Sequence, residues 1–409
     1  MNFHRARLTL LLILIHFCLS PSCSTAEKNE VPSRYSVTQI PGVTLGNQPV
    51  LSLKQDLDST HPHAQILDAE VLLGRGMNLY QIRAYIPKVG VIPLLESPPL
   101  EQSQKKMNGG LDDFNGNQSF FVGGAILAPY ANRIRGHLIS DSSTANSKWI
   151  ETNILGKNLR LPSNWKGKEK NAEPHAMHGL ILNTSMDEWK SSLTREHAQI
   201  QSTLHAGNFR GHWISEADLH FEVTLQDHEL LLKITAQNTG HEPLPIGIGW
   251  HPFFRIASGK REQAQLVVPA RSRTEMNNYD DVFPTGKLLP IQNTKYDVLL
   301  SRSQSKAKSL GLLYLDDCFV DLERKGNAAV VSLTDPSAHY GVRVKALSPQ
   351  IQAIQVYAPL DKPFVAIEPQ FNWGDPFGKQ WKHSENTGMA VLKPGESVTY
   401  FVAVEVFEI

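Results

Sequence analysis

A period-two alternation of apolar and other side chains recurs along this 409-residue chain. It is clearest at 219–225 and 230–236, two segments separated by a short polar link, and it returns at 342–346 and 398–406. Successive side chains of a strand point to opposite faces, so each segment can bury one face and expose the other. Segments with helical periodicity are few. The sequence therefore predicts an all-β protein, a large antiparallel β-sandwich in which 219–236 form a hairpin.

The N-terminal residues have the order of a secretory signal peptide. A basic start at 4–7 precedes a mostly apolar run at 8–19, and small residues ending at Ala26 offer a cleavage point. The run is shorter than the roughly 20 apolar residues of a membrane span. We expect residues 1–26 to be a signal peptide and the protein to be secreted or periplasmic, with no stable membrane span in the mature chain. An uncleaved anchor and a lipoprotein attached at Cys23 are the open alternatives.

No linker divides the rest of the chain. We expect residues 27–45 to form a weakly ordered lead-in and residues 46–409 to form a single domain. The segment 97–118 contains paired prolines and glycines, and 162–173 is rich in lysine. Both compositions predict surface loops.

Cysteine content and charge exclude some classes of protein. Cys318 is the one cysteine of three that lies beyond the expected cleavage point, so a disulfide framework is excluded and a hydrophobic core must stabilise the fold. The 40 basic and 40 acidic side chains give a formal net charge of zero. Because no long basic run is present either, we expect no nucleic acid partner. The oligomeric state is not determined by the sequence.

Short polar segments interrupt the strand pattern and carry the side chains expected of proton transfer. They are Ala131–Ile134, His178–Leu180, Trp250–Phe254 and Ile367–Pro369. Glu368 ends an apolar run, where partial burial would raise the pKa of its carboxyl toward a value useful to a general base. His251 lies among aromatic residues and is suited to giving and taking protons near neutral pH. His178 precedes a glycine, which permits close approach of backbone or ligand.

Hydrogen-bonding residues accompany these groups. Arg133 and Asn132 can supply several donors to substrate hydroxyls, and one of Asp316 and Asp317 can accept from them. Each site residue also has a structural interpretation that stays open. Glu368 would then be an acid facing water at a strand end, the histidines would be buried and bonded to backbone, and Arg133 would form an ion pair.

Other constellations of catalytic residues find little support. The histidine pairs His61/His63 and His175/His178 lack an acidic third ligand at zinc spacing, so we expect no metal. The glycines of 73–77 lack the third glycine of a phosphate-binding fingerprint, and no G-x-S-x-G elbow is present.

Taken together, these motifs resemble the aldose 1-epimerase (galactose mutarotase-like) family over roughly residues 45–409. The matching segments occur in the family's order: Ala131-Asn132-Arg133-Ile134, His178-Gly179, His251-Pro252-Phe253-Phe254, Leu315-Asp316-Asp317-Cys318-Phe319, Ile354-Gln355-Val356-Tyr357 and Ile367-Glu368-Pro369. The resemblance implies the galactose mutarotase-like supersandwich, a large antiparallel β-sandwich. The sequence departs from the best-known mutarotases around His251, which Trp250 precedes, and after Glu368.

The resemblance also implies roles for individual residues. Glu368 would be the general base that takes the proton of the anomeric hydroxyl, and His251 would be the acid that protonates the ring oxygen. His178 would help to hold that oxygen. The sugar hydroxyls would be bound by Arg133, Asn132, Asp316 and Gln355. The implied enzyme is an isomerase that interconverts α and β anomers of a hexose without a cofactor.

Two other functions stay open. The first is a carbohydrate-binding sandwich that keeps the pocket without catalysis. The second is a different reaction on a sugar or uronate in the same fold, such as another epimerisation or a lyase step. A matched acid and base favour catalysis, since binding alone requires neither. In each case the partner is a small sugar, and its identity is not fixed by the sequence.

Overall fold

A computed structural model describes residues 33–60, 63–139, 148–300, 308–382 and 385–409. The predicted signal peptide, with its cleavage point after Ala26 and the alternative lipidation site Cys23, lies outside these residues. Residues Ser33–Ile409 form one compact unit. Among the described residues, no helix is long and apolar enough to cross a membrane.

Strands dominate the described chain. In order they are β1 (Tyr35–Leu45), β2 (Gln48–Gln55), β3 (Gln65–Leu72), β4 (Asn78–Ile86), β5 (Gly90–Pro93), β6 (Gly124–Leu127), β7 (Arg133–Ile134), β8 (His137–Ile139), β9 (Trp149–Ile154), β10 (Lys157–Pro162), β11 (Ala176–Met177), β12 (Glu188–Leu193), β13 (Ala198–Gly207), β14 (Ala217–Gln226), β15 (Glu229–Asn238), β16 (Leu244–Ile246), β17 (Gly249–Arg255), β18 (Gln265–Val267), β19 (Ala270–Met276), β20 (Pro284–Pro290), β21 (Leu315–Leu322), β22 (Ala329–Asp335), β23 (Tyr340–Ala346), β24 (Ala353–Ala358), β25 (Phe364–Gln370), β26 (Ala390–Leu392) and β27 (Ser397–Glu408).

Helical segments are short. The α-helices are α1 (Leu100–Lys106) and α2 (Asn117–Phe120), and the 3₁₀ turns are Leu111–Gly116, Arg261–Gln263, Lys295–Leu299 and Pro336–Ala338. The segment 97–118, which the sequence predicts to be a surface loop, thus contains α1, a 3₁₀ turn and the start of α2. A buried ion pair holds it, because Arg75 donates to both carboxylate oxygens of Asp113 at 3.0 and 2.7 Å.

Two large antiparallel sheets form the domain, as the alternation predicts. Over the described residues, the larger sheet has twelve strands in the order β1-β2-β3-β4-β6-β17-β25-β24-β21-β19-β20, with β5 joined to β4. The smaller sheet has eight strands in the order β12-β13-β14-β15-β27-β23-β22-β18. Three small sheets, β8-β9-β10, β7-β11 and β16-β26, lie outside them. The prediction of an all-β antiparallel sandwich is confirmed.

The hydrophobic core lies between the two sheets. It joins side chains of the larger sheet, such as Leu53 and Leu79, to side chains of the smaller one, such as Phe221 and Val402. In β15 buried and half-buried positions alternate along the whole strand, which is the pattern of one face on a core. The predicted hairpin is present as β14 and β15, where Leu225 pairs with Leu230.

The predicted lead-in requires a correction. We expected residues 27–45 to be weakly ordered, but β1 pairs along the edge of the larger sheet with β2, from Tyr35↔Gln55 to Leu45↔Gln48. The sheet therefore begins about ten residues earlier than the sequence suggested. Pro41-Gly42 hid it, since this pair interrupts the alternation in the middle of β1, where the register with β2 shifts between Gln39 and Thr44.

Candidate active site

The centre of the larger sheet brings candidate residues together on one face. In β17 and β25, Gly249 pairs with Gln370 and Phe253 with Ala366, so His251 stands opposite Glu368. Glu368 also pairs with Gln355 of β24. Because side chains two residues apart share a face, these three point to the same side of the sheet. Residues separated by up to 117 positions in the chain thus meet through strand register.

Glu368 and His251 are in direct contact. His251 Nε2 lies 3.2 Å from Glu368 Oε1, and the two side chains are 7% and 2% exposed. The other carboxylate oxygen, Oε2, accepts a hydrogen bond of 2.9 Å from Gln370 Nε2. Gln370 lies two residues further along the same strand, so the alternation of β25 places it beside Glu368. The arrangement leaves a single short path for a proton between the acid and the imidazole.

His178 reaches the same place from outside the sheet. It follows β11, which pairs with β7 through Met177↔Arg133, and its backbone N–H donates to the carbonyl of Asn132 at 2.9 Å. Its ring centroid lies 4.8 Å from that of His251 in an edge arrangement. The following Gly179 has a φ of +82° and lies against the backbone of Ala128, where a side chain would not fit. The glycine therefore serves close backbone packing.

Positive backbone angles mark the residues around this contact. Asn132 has a φ of +61° and His178 a φ of +63°. Few residues other than glycine adopt such angles, although asparagine and histidine do so more often than most. Strained backbone of this kind concentrates where a side chain must be aimed at a site. Here it orients the side chains of Asn132 and His178 within the site.

The four predicted hydroxyl-binding residues form a closed ring of polar contacts. Arg133 Nη1 donates to Asn132 Oδ1 at 3.0 Å, and Asn132 Nδ2 donates to Gln355 Oε1 at 3.1 Å. Gln355 Nε2 donates to Asp316 Oδ1 at 2.7 Å, and Asp316 Oδ2 lies 3.7 Å from Arg133 Nη2. Each side chain fixes the orientation of the next. The ring therefore presents a preorganised set of donors and acceptors beside Glu368.

The segment after Glu368 holds the Arg133 segment in place. Asn372 accepts from the N–H of Ala131 at 3.0 Å and donates to the carbonyl of Ala131 at 2.9 Å. The N–H of Asp375 donates to the carbonyl of Arg133 at 2.7 Å, and Asp375 Oδ1 accepts from the N–H of Arg135 at 3.0 Å. The 370–376 segment, where the sequence departs from known mutarotases, thus positions the ring of polar side chains.

Burial sets the protonation of the acid and the two histidines. It raises the pKa of Glu368 well above its usual value, and the nearby Asp316 carboxylate adds to this, while Arg133 and Gln370 oppose it. Burial lowers the pKa of His251 to about 4, with a further lowering by Arg133. It also lowers the pKa of His178, and the neighbouring His251 and Arg133 act in the same direction. Burial therefore favours a neutral carboxyl and two neutral imidazoles at neutral pH.

Asp316 is the most accessible of the site's acids. Its side chain is 13% exposed, and the pKa of its carboxyl is raised by burial and by Asp317, against the lowering effect of Arg133. Asp317, the neighbouring acid, faces the other way and bonds Arg273 and two tyrosines. The structure therefore separates the two aspartates that sequence alone leaves equivalent.

Among the residues that the structure describes, one cluster has side chains that could ligate a metal ion, although the histidine spacing did not suggest it. Ligand atoms of His178, His251 and Glu368 lie within 4.8 Å of one another. Ligands of a tetrahedral zinc ion stand roughly 3.5 Å apart, given metal–ligand bonds of about 2.1 Å. The cluster would therefore have to contract to hold such an ion.

A further residue of the site has no signal in the sequence. Phe120, at the end of α2, lies 4.9 Å from the ring of His178 and 6.3 Å from that of His251, centroid to centroid. It covers both imidazoles and contributes to their burial. Sequence reasoning missed it because it lies beside a segment that has loop composition.

Comparison with known proteins agrees with this architecture. The family model described as aldose 1-epimerase matches residues 102–405. The galactose mutarotase-like protein of Clostridium acetobutylicum superposes with a TM-score of 0.69 at 16% identity, covering 92% of this chain and 99% of that one. Galactose 1-epimerase of Lactobacillus acidophilus NCFM superposes with a TM-score of 0.62 at 15% identity, with 92% and 99% coverage. At these identities the superpositions show a shared fold.

A curated relative matches more locally. The uncharacterised protein YphB of Escherichia coli K12 is 29% identical over 107 residues, which are 25% of this chain and 34% of that protein. The aligned part thus spans about a third of that relative. The fold and the family model together define a galactose mutarotase-like sandwich. The chain belongs to the aldose 1-epimerase family.

Proposed function

We propose that this protein is an aldose 1-epimerase, secreted or periplasmic, that interconverts the α and β anomers of a hexose. The observation that carries the proposal is the 3.2 Å contact between His251 Nε2 and Glu368 Oε1, two buried side chains. A binding module has no use for an acid and a base that share one proton. An anomerase needs such a pair, because one proton must leave the anomeric hydroxyl as another reaches the ring oxygen.

In the proposed opening step, the Glu368 carboxylate takes the proton of the anomeric hydroxyl. The electrons of that O–H bond form the C1 carbonyl, the bond from C1 to the ring oxygen breaks, and the ring oxygen takes a proton from His251. His178, whose ring stands 4.8 Å from that of His251, helps to hold the ring oxygen. The product is an open-chain aldehyde, with the carboxyl now protonated and His251 neutral.

The closing step is the reverse, after rotation about the bond between C1 and C2. Neutral His251 takes the proton of the C5 hydroxyl, whose oxygen attacks the other face of the carbonyl, and the Glu368 carboxyl returns a proton to the new anomeric oxygen. The pair carries one proton throughout. Because burial favours the form with the proton on Glu368, the resting pair holds the proton arrangement that ring closure requires.

The sugar would be oriented by the ring of polar side chains. Arg133 and Asn132 supply donors, Asp316 accepts, and Gln355 does both. These residues already hold one another in place. Their side chains therefore lose little conformational entropy when a sugar binds. Preorganisation of this kind is what places reacting atoms within attack distance.

The test is polarimetry or NMR of freshly dissolved α-glucose and α-galactose with and without protein. We expect the wild type to accelerate equilibration of at least one of them, before and after dialysis against EDTA. Glu368→Gln keeps the size and the contact with Gln370 but removes the base, so it should lose about 10²- to 10⁴-fold. An unchanged rate in Glu368→Gln would refute the base assignment. A wild type inactive on a panel of aldoses would favour a carbohydrate-binding module.

A further inference from the structure

A row of aromatic side chains continues the face of the sheet that carries Glu368. Phe364 and Glu368 are four residues apart in β25, and Tyr357 and Gln355 are two apart in β24, so all four share that face. Phe253 joins the row to the catalytic pair, because its ring lies 4.7 Å from that of His251. Two residues of a strand span about 7 Å. Phe253, the first ring of the row, therefore lies about 7 Å along β17 from His251.

The rings contact one another in sequence across the strands. Phe253 lies 5.0 Å from Phe364, Phe364 lies 6.2 Å from Tyr357, and Tyr357 lies 6.4 Å from Tyr314. Tyr279 ends the row, 5.1 Å from Tyr314 and 42% exposed. Most contacts are edge-to-face, and Phe364, Tyr357 and Tyr314 each keep part of their surface exposed. We call Tyr279, Tyr314, Tyr357 and Phe364 the aromatic shelf.

The shelf carries unused polar groups. The hydroxyls of Tyr314 and Tyr357 make no hydrogen bond to a described residue, and both rings are half-buried. By contrast, the Tyr279 hydroxyl donates to Asp317 Oδ2 at 3.1 Å. Tyr357 stands opposite Asp316 in the register of β21 and β24. Two phenolic hydroxyls thus flank the most accessible acid of the site.

One buried arginine holds the backbone beside two residues of the shelf, Tyr314 and Tyr357. Arg261, 5% exposed, donates to the carbonyls of Gly311 at 2.8 Å and Leu313 at 2.5 Å, just before Tyr314. It also donates to the carbonyls of Ala358 and Pro359, both at 2.9 Å, just after Tyr357. One guanidinium therefore ties the end of β24 and the residue after it to the segment before β21. These bonds fix the backbone beside Tyr357 and Tyr314.

We propose that the aromatic shelf binds a second sugar unit, so that the preferred substrate is the reducing end of a disaccharide or longer saccharide. Apolar ring surface with a few hydroxyls matches a sugar, which presents C–H faces and hydroxyl edges. The reducing unit would lie at Glu368 and His251, and the next unit would lie over Tyr357 and Tyr314. This inference rests on the proposed function and names the substrate class of the same site.

The test compares monosaccharides with reducing disaccharides. The rate of anomeric exchange is measured by NMR for glucose and galactose, and for maltose, cellobiose, lactose and melibiose. For at least one disaccharide we expect kcat/KM above that of its reducing monosaccharide, through a lower KM. Tyr314→Phe with Tyr357→Phe keeps the rings and removes both hydroxyls, and should reduce that preference roughly 2- to 10-fold per lost hydrogen bond.

Trp149→Ala is the matched control. Trp149 lines a separate depression of about 240 Å³ with Phe114 and His212, which contains none of the site residues named above. We expect this variant to keep both the monosaccharide rate and the disaccharide preference. If Trp149→Ala removes the preference and the tyrosine variant keeps it, the second unit lies in that depression and the shelf assignment is refuted.

The remaining outcomes separate the shelf from the proposed function. If the protein accelerates monosaccharides but prefers no disaccharide, the second-sugar site is refuted and the epimerase activity is still supported. Calorimetric titration of Glu368→Gln, which binds without turnover, provides a second measurement. If it binds a disaccharide more tightly than the corresponding monosaccharide while the wild type accelerates no sugar, the second-sugar site is supported and the epimerase activity is refuted.

Discussion

His251 Nε2 and Glu368 Oε1 lie 3.2 Å apart, although the two residues come from different strands and neither side chain is more than 7% exposed. Burial lowers the pKa of the imidazole to about 4 and raises the pKa of the carboxyl. Both shifts favour uncharged groups, so the pair holds one proton over a wide pH range. Interacting groups of this kind titrate as a unit. The unit is the chemical centre of the proposed anomerase.

The pH dependence of activity should follow from that shared proton. As pH falls through about 4, His251 gains a second proton, so the pair has no base and kcat/KM drops. As pH rises past the raised pKa of Glu368, the last proton leaves and kcat/KM drops again. We expect a bell-shaped plot of kcat/KM against pH, with its acid limb near pH 4. The rates are measured by NMR exchange after subtraction of the uncatalysed rate. An acid limb near 6.5, with circular dichroism unchanged, would contradict the burial of His251.

The two histidines should differ in their contribution to kcat. His251→Gln removes the proton donor and should lower kcat about 10²- to 10⁴-fold. His178→Asn removes a group that holds the ring oxygen without exchanging a proton, and asparagine tolerates the φ of +63° at this position. Its loss in kcat should be smaller. Single-turnover anomerisation would measure both, and equal losses would show that the two imidazoles act together.

Asp316→Asn should weaken sugar binding more than it slows the chemistry. The amide oxygen can still accept from Gln355, so that link of the polar ring survives, but the ion pair with Arg133 and the charged acceptor for sugar hydroxyls are gone. Hydrogen bonds to charged groups contribute about 1.5–3 kcal/mol, which corresponds to roughly a 10- to 100-fold rise in KM. Asp317→Asn, assayed with a monosaccharide, is the comparison, since that acid bonds Arg273, Tyr296 and the outer shelf residue Tyr279 and is not part of the polar ring. A larger KM effect at Asp317 would contradict the separation of the two aspartates.

The ion pair between Arg75 and Asp113 should support the site from a distance. Both side chains are buried, and Arg75 Nε also donates to Ser119 Oγ at 2.8 Å, next to Phe120. Arg75→Met leaves a buried carboxylate unpaired and should cost about 3–5 kcal/mol of the free energy of unfolding. Chemical denaturation measures this loss.

The double variant Arg75→Met with Asp113→Leu controls that prediction. Because it removes both charges, it should recover much of the lost stability. It should not recover full activity if the ion pair also holds Phe120 over the histidines. Full stability in the single variant would mean that the Asp113 carboxyl takes up a proton instead.

The alternation at 219–236 was enough to predict the hairpin, because strand periodicity is a local property that residues two apart already display. The same local rule failed at β1, where Pro41-Gly42 interrupts the alternation at a register shift, and at 97–118, where short helices depend on the contact with Arg75. Local patterns therefore give the fold class and miss elements that distant partners stabilise.

The sequence by itself determined the types of group at the site: one carboxylate, two imidazoles, one guanidinium and their amide and acid neighbours. Only the tertiary structure decided that Asn132 donates to Gln355, 223 residues away in the chain, and that Phe120 covers the histidines. Such contacts depend on the register of strands across a sheet and on what packs over it. Neither is encoded in the spacing of residues along the chain.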